Sequence, residues 1–252
     1  MDISIVGPKV YYEVPIDFPL LGRIQITETL VISWLVMLII TLLCVWLTHD
    51  LKVENITKRQ AFAEMLFEMA DKFVIGNMGE KFRYFVPFVA ALFATSLVSN
   101  LISLLGFRSP TADLNTEAAW AIVVFILITS QKIKAGGVGG YLKGFTQPIA
   151  LLTPFNILSE LATPISLACR HFGNILSGVV INGLLYAALA LASSKLLGLI
   201  PGAVGQLLSN VPILAVGLPA VLSVYFDWFT GVMQAYIFCM LTTMYIANAA
   251  EG

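Results

Sequence analysis

The chain has 252 residues, of which 58% are hydrophobic and 12% charged. A soluble domain carries about 45–50% apolar and about 25% charged residues, so a soluble enzyme, a binding module or a disordered chain is excluded. Fourteen Lys and Arg against fifteen Asp and Glu give a net charge of −1, which leaves no basic surface for nucleic acid. Cys44, Cys169 and Cys239 are odd in number, lie in apolar stretches and read as free, buried thiols. The composition is that of a polytopic membrane protein in a lipid bilayer.

A helix crosses the hydrocarbon core with about 20 apolar residues. Residues 1–28 are dotted with charge, from Lys9 to Glu28, and read as an external segment without the build of a signal peptide. Residues 29–49 hold the first span, whose apolar run is 30–48 with Trp34 and Trp46 towards its ends. Residues 50–83 are charged but carry Phe62, Met65, Leu66, Met69 and Phe73 at helical spacing. That spacing predicts an inside loop and an amphipathic helix lying on the membrane surface.

Residues 84–134 read as a two-span hairpin. The first span is 84–106, and the second has a short uninterrupted apolar part, 118–131, ended by Lys132 and Lys134 reaching for the interface. The glycines of 136–140 predict a flexible connector inside the loop 135–147, without the Lys-Ser/Thr ending of a phosphate loop. Residues 144–194 then carry only two charges, Glu160 and Arg170, and residues 196–250 only Asp227. As one helix, 165–194 would be about 45 Å long, half as long again as a perpendicular crossing. Residues 213–250 raise the same problem. Segment 148–252 therefore reads as a long, strongly tilted helix hairpin wrapped around another body. The expected fold is all-α, one integral membrane domain with about five to six helices including the surface helix.

With the N-terminus outside, nine Lys and Arg fall in inside loops and four outside. The positive-inside rule thus puts the N-terminus outside and the C-terminus in the cytoplasm. Arg170 fits neither side. An arginine near the bilayer centre costs about 2.5–3.5 kcal/mol on insertion scales, so it has either a carboxylate mate or a place in an ion path. Glu160 and Asp227 are the possible mates within the chain. Arg170 and Asn174 are four apart and share a face, with Thr163, Ser166 and Ser177 near the same stripe. On the last helix Asp227, Thr230, Gln234, Tyr245 and Asn248 recur at near-helical spacing as a second polar stripe. Ser, Thr and Asn also glue membrane helices together, but two stripes and an unmatched arginine favour the path. His171 points about 100° away from Arg170 and reads as packed and neutral. His49 reads as solvated. No HExxH pair, CxxC pair or nucleophile elbow occurs, so no metal, cofactor or soluble catalytic site is expected.

The segment Pro164-Ile165-Ser166-Leu167-Ala168-Cys169-Arg170-His171-Phe172-Gly173-Asn174 closely resembles the PxSLxxRxFGN motif of subunit a of F-type ATP synthases. Thr111-Ala112-Asp113-Leu114-Asn115 is similar to that family's TADxN stretch. Residues 134–141 resemble its glycine-rich loop, and Met233-Gln234-Ala235-Tyr236-Ile237-Phe238 its LQAFIF motif. The likeness runs in family order from about Tyr84 to the C-terminus.

The resemblance implies a stator subunit beside a rotating ring of c subunits in the bacterial cell (inner) membrane. Subunit b of the peripheral stalk and the remaining ATP synthase subunits would be its other partners. Two offset aqueous half-channels would carry an ion, expected to be a proton, with no catalysis by the chain itself. Arg170 matches the family's essential arginine, Asn174 and Gln234 its polar neighbours, Glu160 the acid before the PxSL segment, and Asn100 the mid-membrane asparagine of the second span. Ser166, Thr230, Tyr245 and Asn248 complete the expected ion path. The family's usual Glu/His pair is replaced by Val179 and Asp227, and Asp227 is expected to act alone. A secondary transporter is the alternative reading, although such folds usually show internal repeats and none is apparent here.

Overall fold

The computed structural model describes residues 8–18, 22–198 and 218–251. The segment before the first span is not featureless. Strands β1 (Val10–Phe18) and β2 (Gly22–Thr27) form an antiparallel hairpin, with Gln25 Nε2 donating to Glu13 Oε1 across the pair at 3.0 Å. Val, Tyr and Ile suit a pleated, half-buried surface, but two short strands give a weaker signal than an apolar span. Among the described residues, every regular element after the hairpin is helical.

Helix α1 (Glu28–Thr48) starts where the Thr27 hydroxyl accepts from the Leu30 amide. Its apolar side chains are mostly exposed, while Ile32 and Val36 pack on Ile102. Helix α2 (Lys58–Met78), capped in the same way by Thr57, is shorter than the charged segment that contains it. Its expected apolar face is divided. Phe62, Met65, Leu66 and Met69 are exposed, whereas Phe73 packs edge-on against Tyr236 at 5.6 Å. Val74 and Met78, one turn further on, enter the core.

Helix α3 (Val86–Leu101) is extended at both ends by tighter helical turns, Glu80–Phe85 and Ile102–Leu105. A short turn at Pro110–Ala112 then leads into α4 (Leu114–Gly144). Asp113 caps α4 by accepting from the Asn115 amide at 3.1 Å, and also accepts from the Thr29 hydroxyl at 2.9 Å. The flexible connector expected at 136–140 is not there. The helix runs through it for 31 residues in all, broken only at Gly137, whose φ of 70° and ψ of 169° make a kink. Glycine reaches that conformation without a Cβ clash, so two helical stretches meet at a kink inside the segment expected as a loop.

Helix α5 (Thr153–Gly198) has 46 residues with Pro164 in its interior, about 69 Å at 1.5 Å per residue. Helix α6 (Leu218–Glu251) has 34. Val74, Val86, Val124, Ile128, Leu167, Phe238 and Ile246 form the centre of the core, where α2 to α6 meet. Among the described residues, five helical segments are long and apolar enough to cross a membrane, by length and composition. The chain is an all-α, multi-pass membrane protein. Among its thiols only Cys239 is buried; Cys44 and Cys169 are exposed, because each lies on the outward face of its helix.

Candidate functional site

Helix α5 carries two unlike faces. Leu167, Ala168 and His171 are buried, while Ser166, Arg170, Asn174 and Ser177 are exposed and follow one another at helical spacing. Arg170 has no carboxylate partner among the described residues. Asn174 Nδ2 donates to Gln234 Oε1 at 2.5 Å, tying α5 to α6. Gln234 is 2% exposed, and its Nε2 has no hydrogen-bond partner among the described residues.

Glu160, one of the two in-chain mates considered for Arg170, is engaged elsewhere. Lys132 Nζ lies 2.6 Å from its Oε2, and the Tyr141 hydroxyl donates to Oε1 at 3.4 Å. Lys132 therefore does not reach for the interface at a helix end. It lies within α4, because the helix continues past it. Asp227, the other mate, has its side chain outside the described residues, as does Val179.

Glu160 and Lys132 line a cavity of about 560 Å³ together with Tyr141, Thr163, Tyr245 and Asn248. The polar stripe expected along α6 is thus split. Gln234 turns to Asn174, whereas Tyr245 and Asn248, about 17 to 21 Å further along the axis, face the cavity. Thr230 is half-buried near the start of the stripe.

A second polar cluster lies towards the other end of the bundle. Asn100 is 2% exposed, donates from Nδ2 to the Gly231 carbonyl at 2.9 Å and accepts at Oδ1 from the Thr111 hydroxyl at 2.7 Å. A Cβ built on Gly231 would stand 3.0 Å from the Asn100 Cβ, so glycine is what allows α6 so close to α3. Beside Asn100 sit two groups not foreseen as partners. His171 Nδ1 lies 3.0 Å from Glu117 Oε2, with both side chains 0% exposed. His171 is packed, as expected, but against a buried acid. Glu117 left no periodic signal in the sequence, since it is a single acid in the first turn of a helix, where acids commonly sit.

Three regions result: an outward arginine face, an open cavity with a Lys–Glu pair, and a sealed His–Glu–Asn cluster. On α5 the cavity acid Glu160 lies about 15 Å before Arg170, whereas the sealed cluster is at the arginine's own height on another face, since His171 is the next residue.

The sequence model described as ATP synthase A chain matches residues 30–247. "ATP synthase subunit a, sodium ion specific" of Propionigenium modestum is 30% identical over 271 aligned residues, covering 96% of this chain and 85% of that protein. "ATP synthase subunit a 1" of Crocosphaera subtropica is 33% identical over 227 residues, covering 89% and 87%. "ATP synthase subunit a" of Desulforamulus reducens is 29% identical over 252 residues, covering 99% and 89%. With the family matched across nearly all the spans and the arginine motif, the chain belongs to the ATP synthase A chain family, the subunit a of F-type ATP synthases.

Proposed function

We propose that this chain is the ion-translocating stator subunit of the membrane sector, with Arg170 facing a carboxylate on a passing ring of c subunits. The observation that carries this reading is Arg170 itself: exposed on a membrane-spanning helix and without an acid from the described residues. A cation in hydrocarbon is retained when something compensates it, and here the compensating acid comes from another polypeptide.

At 4 Å and an effective dielectric of 20, an Arg–carboxylate pair gains about 4 kcal/mol. That favours the ionised ring site by about 10³-fold. A loaded site arriving at Arg170 therefore gives up its ion to one half-channel, passes the guanidinium ionised, and is reloaded from the other. Arg170 also repels a cation hopping directly between the channels. Ions must ride the ring, and each charge falling through 100 mV supplies about 2.3 kcal/mol.

The cavity with Glu160, Tyr245 and Asn248 is the proposed path to the cytoplasmic side, given the C-terminus inside. Thr230 and Asp227 line the opposite one, with Asn100 sealed behind them on the Gly231 carbonyl. Ser166, Asn174 and Gln234 flank the arginine between them. The bacterial inner membrane, with subunit b as stator neighbour, is the proposed setting, and protons are the proposed ion. A requirement for Na⁺ in vesicles would replace protons with sodium, the ion in the name of the relative from Propionigenium modestum.

The test is Arg170→Ala in assembled complexes. Ion-gradient-driven ATP synthesis is expected to vanish, and normal synthesis would refute the gate.

A further inference from the structure

His171 follows Arg170 directly, yet the two side chains leave α5 about 100° apart. One is exposed and the other sealed. The imidazole is held from three helices other than its own: Glu117 of α4 on Nδ1 at 3.0 Å, Asn100 of α3 on Nε2 at 3.4 Å, and the ring of Phe238 of α6 at 5.5 Å.

The hydrogen bonds also assign the tautomer. The Gly231 carbonyl can only accept, so the NH₂ of Asn100 is on that side and also faces Nε2 of His171. Nε2 must then accept, and the ring proton sits on Nδ1, on the side of the Glu117 carboxylate. An imidazolium would set an N–H against the Asn100 NH₂. The ring is therefore fixed in orientation and in tautomer.

We propose that Glu117 and His171 are positioning residues for Arg170. They fix the rotation of α5 about its axis and its height against α3, α4 and α6. The guanidinium is thereby presented outward at the place a ring carboxylate passes. This rests on the reading of Arg170 given above. Misplacing a reacting group by about 1 Å can cost about 10²-fold in rate, so a slack α5 impairs the gate without removing it.

The experiment compares assembled complexes in membrane vesicles carrying Glu117→Leu, His171→Leu, Glu117→Gln, or the exchange pair Glu117→His with His171→Glu. Glu117→Gln keeps an acceptor for Nδ1–H, and the exchange pair keeps an acceptor facing Asn100. ATP synthesis per assembled complex is expected to fall tenfold or more in the Leu variants. It should stay within twofold of the parent in Glu117→Gln and recover to at least half in the exchange pair. The second readout is the rate at which a small membrane-permeant maleimide modifies Cys169, exposed beside Arg170, in a Cys44→Ser background. It should shift threefold or more, in either direction, only in the Leu variants. Unchanged synthesis in the Leu variants would overturn the proposal, as would lost synthesis with Cys169 reactivity unchanged. If the Leu variants do not assemble, the exchange pair decides: assembled and active supports the proposal, assembled and inactive overturns it. Arg170→Ala separates the two readings. Synthesis surviving in Arg170→Ala sinks the gate itself, whereas lost synthesis there with normal Leu variants sinks the positioning role alone.

Discussion

Glu117 and Glu160 are both acids on membrane-spanning helices, and their surroundings could hardly differ more. Glu117 is enclosed, 0% exposed, and faces a histidine that is itself locked by an amide. Glu160 opens on a cavity of about 560 Å³ and is held by a lysine on a flexible stem. A buried charge is tolerated when it is paired and hydrogen-bonded. Glu160 meets that demand with a lysine side chain that can swing, whereas Glu117 faces a rigid imidazole 3.0 Å away and its carboxylate oxygens make no hydrogen bond among the described residues. The rigid pair suits holding a helix in place, and the mobile pair suits letting ions and water past.

Breaking the mobile side should give the largest effect. Glu160→Gln leaves the Lys132 ammonium at the cavity without its counter-charge, so cation passage is expected to drop at least tenfold in ATP-driven pumping by inverted vesicles. Unaltered pumping would remove Glu160 from the path. Asp227→Asn is expected to reduce flux severalfold while leaving assembly intact, since Asp227 is the only formal charge in residues 196–250. Quantifying subunits in purified complexes alongside pumping rates checks both halves of that statement.

On the rigid side, Gly231→Leu forces a side chain into the space against Asn100. Overpacking of this kind costs about 1–3 kcal/mol and should appear as a lower unfolding temperature of the solubilised complex. The smallest effect is expected at Arg83, whose Nε and Nη2 hold the Asp71 carboxylate at 2.8 Å each. The guanidinium side of that pair is exposed although Asp71 is only 13% exposed, and ion pairs open to solvent contribute little. Synthesis and thermal stability of Arg83→Ala should match the parent, and a clear loss in either would sharpen the comparison by giving the α2 end of the bundle a role.

Much of this architecture was legible because membrane spans write themselves as long apolar runs. The Arg170–Asn174 stripe follows from residues repeating at helical spacing, whereas the pairing of Asn174 with Gln234 across two helices does not. Pairings between single residues on distant helices leave no such trace. Lys132 and Glu160 are 28 apart, and Glu117 and His171 are 54 apart. In each case neither partner repeats with anything nearby. The kinked run through Gly137 is hidden for another reason: five residues with four glycines lower helix propensity, yet helix continues on both sides of the single break at Gly137. The hairpin of β1 and β2 was missed because its alternation is brief and interrupted by charge.

Pro164, inside α5, carries a further consequence. Proline has no amide hydrogen and clashes with the carbonyl four residues earlier, which here belongs to Glu160. The acid at the cavity thus loses its ordinary ladder donor nearly three turns upstream of the arginine. Its main-chain oxygen becomes a second acceptor beside the carboxylate, available to a solvent molecule or a passing cation. A single imino acid so gives this helix an extra docking point for the transported species.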